Sequence, residues 1–206
     1  MKCILCEHSD LNKFYSDEYF QCKECSLVFK EPKLRLSYAL EKEQYDFHQN
    51  DPEDMNYRKF LSQLLDPLSS NLNPGSFGLD FGCGPGPTLN IMLEELGHTV
   101  NLYDPIYFKE EKNLDQKYDF ITSSEVFEHL YSPKDEFKKL ISCLRPNGII
   151  AIMTSFLVDE SKFKNWHYRN DPTHISFYSK ETFNWLSKKY FFSVDFYGHN
   201  VSILKF

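Results

Sequence analysis

The chain has 206 residues, 41% of them apolar and 17% aromatic, enough for one ordinary domain with a small appendage and a substantial core. A formal charge of -7 argues against a broad electrostatic footprint for nucleic acid and favours a small-molecule or carrier-linked partner. No apolar run reaches signal-peptide or membrane-spanning length, so no membrane partner is expected and the cytoplasm is the expected address; oligomeric state is not legible.

Four of the six cysteines fall within the first 25 residues, as Cys3-x-x-Cys6 and Cys22-x-x-Cys25 with fifteen residues between the pairs. That spacing presents four thiolates to one structural Zn²⁺ and predicts a small zinc ribbon over residues 1–30, with Phe14, Tyr15, Tyr19 and Phe20 on short strands beside the metal. His8 is a solvated bystander, because the cysteines already fill the site. Residues 1–35 hold six Lys/Arg against six Asp/Glu, so the ribbon lacks a phosphate binder's basic surplus; bracing or substrate selection suits it better.

Residues 31–54 read as a polar, irregular connector that could fold over a ligand site with its aromatic cluster Tyr45-Asp46-Phe47-His48. Residues 57–68 carry apolar side chains at amphipathic-helix spacing, with Pro67 near the end, and predict a helix packed on the main sheet. Asn73-Pro74-Gly75 marks a turn, and the expected domains are a ribbon (1–30), a helical connector or lid (31–75) and a main domain (76–206).

From Phe77 the chain alternates strand and helix. Strands are predicted at 77–81, 98–104, 118–123 and 149–154, helices at 88–96, 133–144 and 179–189, and a helical start at 125–129. Residues 190–197 and 201–206 predict a terminal strand pair. The fold class is therefore α/β, with a doubly wound and mostly parallel sheet.

Such sheets bind ligands at the carboxyl ends of their strands. The first strand ends in Asp80 and breaks into Gly82-Cys83-Gly84-Pro85-Gly86, where Gly82 and Gly84 allow positive φ and a close approach of backbone to ligand. The second ends in Asp104, 24 positions after Asp80, where a carboxylate could accept both ribose hydroxyls; the next ends in Ser123-Ser124-Glu125. A dinucleotide fingerprint needs glycine at 87, and Pro87 stands there. Cys83 is a small residue in a tight turn, and Cys143 belongs to the core.

At these residues the sequence resembles the class I S-adenosylmethionine-dependent methyltransferases, over 77–206. The motifs are Leu-Asp-Phe-Gly-Cys-Gly-Pro-Gly (79–86), Tyr-Asp-Pro (103–105), the run from Tyr118 to His129, and Leu-Arg-Pro-Asn-Gly-Ile-Ile-Ala-Ile-Met-Thr (144–154). The resemblance implies that S-adenosylmethionine lies with its methionine part against the Gly82–Gly86 turn, that Asp104 holds the ribose, and that the last strand runs antiparallel. Asp80, Cys83, Ser124 and Glu125 complete the expected cofactor site. Only thirteen residues separate Asp104 from Tyr118, too few for the usual helix and strand, so the third strand is expected to be missing or vestigial.

Zinc ribbon plus methyltransferase resembles two subgroups, one acting on sugars or small metabolites and one on a guanine of ribosomal RNA. The segment 166–178 looks like a loop of the former and should hang over the methyl group, so the expected reaction is transfer to a hydroxyl or carbon of a sugar or small metabolite. His174, and secondarily His129, are the candidate catalytic residues; His174 could bind substrate or take a proton from a hydroxyl, with His167 a lesser candidate, and the plainer reading of His174 is a hydrogen bond tying loop to sheet. Glu125, Glu128 and His129, at i, i+3 and i+4, also resemble the Glu-x-x-Glu-His arrangement with which small-RNA 2′-O-methyltransferases hold Mg²⁺, against a reading in which the acids only position the helix. The rivals are an RNA methyltransferase and a non-catalytic module binding cofactor or protein.

Overall fold

The structure, a computed structural model, describes residues 1–47 and 50–206. His48, the end of the aromatic cluster in the connector, lies outside the described residues. The chain forms β1 (Leu11–Tyr15), β2 (Tyr19–Cys22), β3 (Val28–Lys30), α1 (Tyr38–Tyr45), α2 (Met55–Ser69), β4 (Phe77–Phe81), α3 (Leu89–Glu95) and β5 (Thr99–Tyr103). It continues with β6 (Tyr118–Ser124), α4 (Pro133–Ser142), β7 (Leu144–Met153), α5 (Glu160–Phe163), β8 (Ser176–Phe177), α6 (Lys180–Tyr190), β9 (Ser193–Tyr197) and β10 (Val201–Lys205).

The main sheet has the order β5-β4-β6-β7-β10-β9, parallel from β5 to β7, with β10 antiparallel to both its neighbours. Among the described residues no strand lies outside β5. The chain after β5 makes an Asp104–Phe108 bridge and a 3₁₀ turn at Glu111–Asp115, then enters β6 directly. The short gap after Asp104 thus removes the third strand, as its length requires.

Alternation along β7 divides the core. Ile149, Ala151 and Met153 face a cluster with α2 and α3, whereas Ile150 and Ile152 face one containing Phe137 and Leu140 of α4 and Phe183 and Leu186 of α6. Helix α2 buries Leu61, Leu64, Leu65 and Leu68, a stripe contributing roughly 6–12 kcal/mol of transfer free energy as an upper figure. Pro67 is accommodated in the last turn. Close packing also selects Gly78: a Cβ there would stand 2.2 Å from the Phe120 ring.

The N-terminal strands form a second sheet, β1-β2-β3-β8, whose last strand is donated from 176–177. Cys3, Cys22, Cys25, Leu27 and Phe29 share one continuous core cluster with Tyr178 and Phe183, so this module is built onto one face of the main sheet. His8 is exposed.

Three local expectations change. Residues 31–54 are not irregular throughout: a 3₁₀ turn at Pro32–Leu34 precedes α1, whose face is Tyr38, Glu41 and Tyr45 rather than aliphatic. No α-helix starts at 125; Glu125 takes a left-handed φ of 53° and only Phe127–His129 forms a 3₁₀ turn. Ser132 precedes α4 without a side-chain capping bond, and Cys143 caps its C-terminus.

Candidate active site

The carboxyl ends of β4, β5 and β6 and the segment 166–174 line one cavity of about 740 Å³, roofed by Tyr38, Glu41 and Tyr45 of α1 and by Asn50. After β4, Gly82 (φ 77°) and Gly84 (φ 67°) take the left-handed conformations that glycine permits. The Tyr103 carbonyl accepts from the Gly82 and Cys83 amides, drawing the turn over β5. A Cβ on Gly82 would lie 2.4 Å from Val126, and one on Gly86 2.2 Å from the Asn50 carbonyl, so the second glycine admits the connector rather than a turn conformation.

Asp104 is 8% exposed and already has three donors. Its Oδ1 accepts from the Ile106 and Tyr107 amides at 2.8 and 3.0 Å and its Oδ2 from the Gly84 amide at 3.1 Å, so one carboxylate shapes two loops of the cavity wall. Asp80 lies beneath the turn, accepting from the Thr122 hydroxyl at 2.8 Å; burial pushes its carboxyl up to about 6. Burial raises the Cys83 thiol, which fits a packing residue and not a nucleophile. Ser124 and Glu125 line the same wall, and burial reinforced by nearby Glu128 pushes the Glu125 carboxyl up to about 9.

Deeper in, Tyr168 donates its hydroxyl to Glu128 Oε1 at 2.5 Å and stands 3.1 Å from Thr154 Oγ1. Glu128 is completely buried, and its Oε2 has no hydrogen-bond partner among the described residues. His174 Nδ1 lies 2.6 Å from the Tyr168 carbonyl and His129 Nδ1 3.2 Å from that of Thr173, with the two rings 4.7 Å apart. Burial lowers the His174 pKa and keeps the ring neutral. His167 lines the cavity but is exposed.

The roof is tied down at several points. Tyr131 donates to the Leu36 carbonyl at 2.9 Å, the Arg35 guanidinium sits 4.8 Å over the Tyr131 ring, and Tyr107 donates to Asp46 at 2.6 Å. Tyr45 donates to Glu41 at 2.8 Å and meets His129 edge-on.

The predicted residues therefore fall into three places. Asp80, Gly82, Cys83, Gly84, Asp104, Ser124 and Glu125 line one part of the cavity, whereas Gly86 is not among the lining residues and packs against Asn50; His129 and His174 line another part. Cys3, Cys6, Cys22 and Cys25 gather elsewhere, with Sγ separations of 3.5 Å for Cys3–Cys25 and 3.4 Å for Cys6–Cys22. The Glu125-Glu128-His129 grouping weighed as a lesser alternative for Mg²⁺ does not form on one helical face, because Glu125 precedes the 3₁₀ turn in a left-handed conformation; the grouped set is Glu128, His129 and His174. Sequence reasoning missed Tyr168, Tyr131 and the α1 face, although 38, 41 and 45 carry helical spacing.

The family model described as a methyltransferase domain matches residues 53–195. A search of curated proteins gives no significant match. Among solved structures, the chain is similar to Burkholderia thailandensis 1,6-didemethyltoxoflavin-N1-methyltransferase with bound 1,6-didemethyltoxoflavin and S-adenosylhomocysteine, at 13% identity, TM-score 0.56, covering 96% of this chain and 98% of that one. An Archaeoglobus fulgidus SAM-dependent methyltransferase gives 17% identity and TM-score 0.54 over 83% and 100% of the two chains. Magnesium protoporphyrin IX methyltransferase from Synechocystis PCC 6803 gives 14% and 0.51 over 81% and 92%. At these identities the likeness concerns the fold, and the family follows from the match over most of the chain: this protein is a methyltransferase, a member of the methyltransferase-domain family.

Proposed function

We propose that this protein transfers the methyl group of S-adenosylmethionine to a small neutral or cationic acceptor enclosed beneath α1, in the class of sugars and other hydroxyl- or carbon-methylated metabolites. The observation that carries the reading is the cavity wall: Glu41, Asp104, Glu136 and Asp171 line it, and among its described residues there is no lysine or arginine. Arg35 stands behind, stacked on Tyr131. A cationic sulfonium donor suits such a wall, whereas a phosphorylated sugar or an RNA backbone would enter without a counter-charge. Methyl transfer from an activated sulfonium needs alignment more than covalent help, and a roofed cavity supplies alignment and excludes water.

In this reading the Gly82–Gly86 turn, Asp80, Cys83, Ser124 and Glu125 surround the donor and Asp104 takes its ribose. His174 or His129 receives the proton of a hydroxyl acceptor, and residues 31–54 act as the lid. The four cysteines hold a structural Zn²⁺: tetrahedral thiolates at the usual Zn–S distance stand about 3.8 Å apart, close to the separations above. Such closely set free thiols fit a reducing compartment, and we place the protein in the cytoplasm. No helix among the described residues is long and apolar enough to cross a membrane.

Calorimetry tests the donor directly, with one site expected for S-adenosylmethionine; absence of binding would leave the non-catalytic module as the better reading. A panel of neutral, cationic and phosphorylated acceptors tests the wall, and a preference for phosphorylated acceptors or RNA would overturn the acceptor class. Gly86→Ala probes the lid, since its Cβ must displace Asn50. The expected result is an acceptor KM raised about tenfold, equivalent to about 1.4 kcal/mol. An unchanged KM would show that this lid contact is dispensable.

A further inference from the structure

We infer that Glu128, His129 and His174 form a binding site for a borderline first-row divalent cation on the acceptor side of the cavity. One ligand atom from each residue lies within 4.8 Å of the others, with Glu128 Oε1 and His129 Nε2 3.9 Å apart. A shared cation would draw them to about 3 Å, a modest side-chain adjustment.

The hydrogen bonds around the trio set it up for this task. Each histidine presents Nδ1 to a backbone carbonyl, Thr173 for His129 and Tyr168 for His174, which places the ring proton on Nδ1 and the lone pair on Nε2. An imidazole N–H anchored on a carbonyl is the usual outer support of a metal-ligating histidine. Glu128 has comparable support: Tyr168 holds Oε1, while Oε2, at zero exposure, has no partner among the described residues. A buried carboxylate oxygen left without a donor is costly, and a cation gripped by both Glu128 oxygens, Oε1 being the one 3.9 Å from His129 Nε2, would satisfy it. Asp171 Oδ2, 3.8 Å from His174 Nε2, adds a second carboxylate nearby.

The donor set selects the ion. Two imidazoles and one carboxylate suit Mn²⁺, Fe²⁺, Co²⁺ or Zn²⁺ better than Mg²⁺, which prefers an all-oxygen octahedron. His129 and His174 line the cavity, so an acceptor oxygen can reach an open coordination position; with both Nε2 atoms on the cation, the lowered pKa of the bound hydroxyl takes the place of a histidine base. The inference rests on the proposed cavity function only for that acceptor role; cation binding stands without it.

The test is a Co²⁺ titration of protein whose cysteine-bound metal is retained, followed by calorimetry and visible spectroscopy without any donor or acceptor. One added equivalent is expected, with ligand-field bands and no thiolate charge-transfer band. Glu128→Gln and His129→Ala should each weaken it by about 100-fold or more. No equivalent beyond exchange into the cysteines, or unchanged affinity in both variants, overturns the site; displacement of Co²⁺ by Mg²⁺ at similar concentration overturns the choice of ion. S-adenosylhomocysteine binding, measured in parallel, separates the two readings: its loss in wild type with Co²⁺ binding intact strikes the donor assignment alone. Retention by His129→Ala shows that variant to be folded.

Discussion

Cys25→Ser is expected to yield protein with less than half an equivalent of zinc and a Tm lowered by at least 8–16 °C, or no soluble protein at all. Cys25 is 1% exposed and its Sγ lies 3.5 Å from that of Cys3, so serine leaves three thiolates crowded around an incomplete site. Structural zinc contributes apparent free energies of about 10–16 kcal/mol in small modules, comparable to the whole stability of a domain at about 5–15 kcal/mol. Even a loss of about 4 kcal/mol shifts Tm by roughly 8–16 °C at this chain length. The damage should not stay in the module, because Leu27 and Phe29 pack in one cluster with Tyr178 and Phe183, and β3 pairs with β8. His8→Ala is the matched control, at an exposed position, and should change neither zinc content nor Tm. Full zinc occupancy and an unshifted Tm in Cys25→Ser would contradict a structural metal here.

Parallel strands buried on both faces read as continuous apolar runs, and this is why β7 and its neighbours are visible in the bare sequence. The glycine turn is equally legible, since left-handed backbone at 82 and 84 leaves few residue choices. Helix α1 is hidden because its periodic face consists of Tyr38, Glu41 and Tyr45, polar side chains committed to the cavity, so a search for aliphatic spacing passes over it. The misplaced helix at 125–129 has a single local cause, the left-handed Glu125, which no propensity scale foresees for a glutamate. Strand β8 is two residues long and pairs with Val28–Phe29, far away in the chain, so nothing local announces it. The grouping of His174 with Glu128 and His129 has the same origin: the Ile175 amide donates to the Glu128 carbonyl, and that tertiary bond brings the loop to the strand end.

Asp104→Ala is expected to lower affinity for S-adenosylmethionine by about 100-fold, equivalent to about 2.7 kcal/mol. Two losses add here. The carboxylate proposed as the ribose partner disappears, and the amides of Gly84, Ile106 and Tyr107 lose the acceptor that holds two loops in place. Hydrogen bonds to a charged group are worth about 1.5–3 kcal/mol each, partly recovered when water replaces them. Asp104→Asn separates the contributions. It can keep an oxygen toward Ile106 and Tyr107 but then turns an NH₂ toward the Gly84 amide, donor against donor, so a loss of about tenfold is expected. Calorimetry with S-adenosylhomocysteine gives the affinities, and the rise in Tm at saturating ligand, which follows RT ln(1 + [L]/Kd), checks them independently. If both variants bind as wild type does, Asp104 serves the turn alone and another group must hold the ribose. If Asp104→Asn falls as far as Asp104→Ala, the negative charge, more than the support of Ile106 and Tyr107, is what the donor uses.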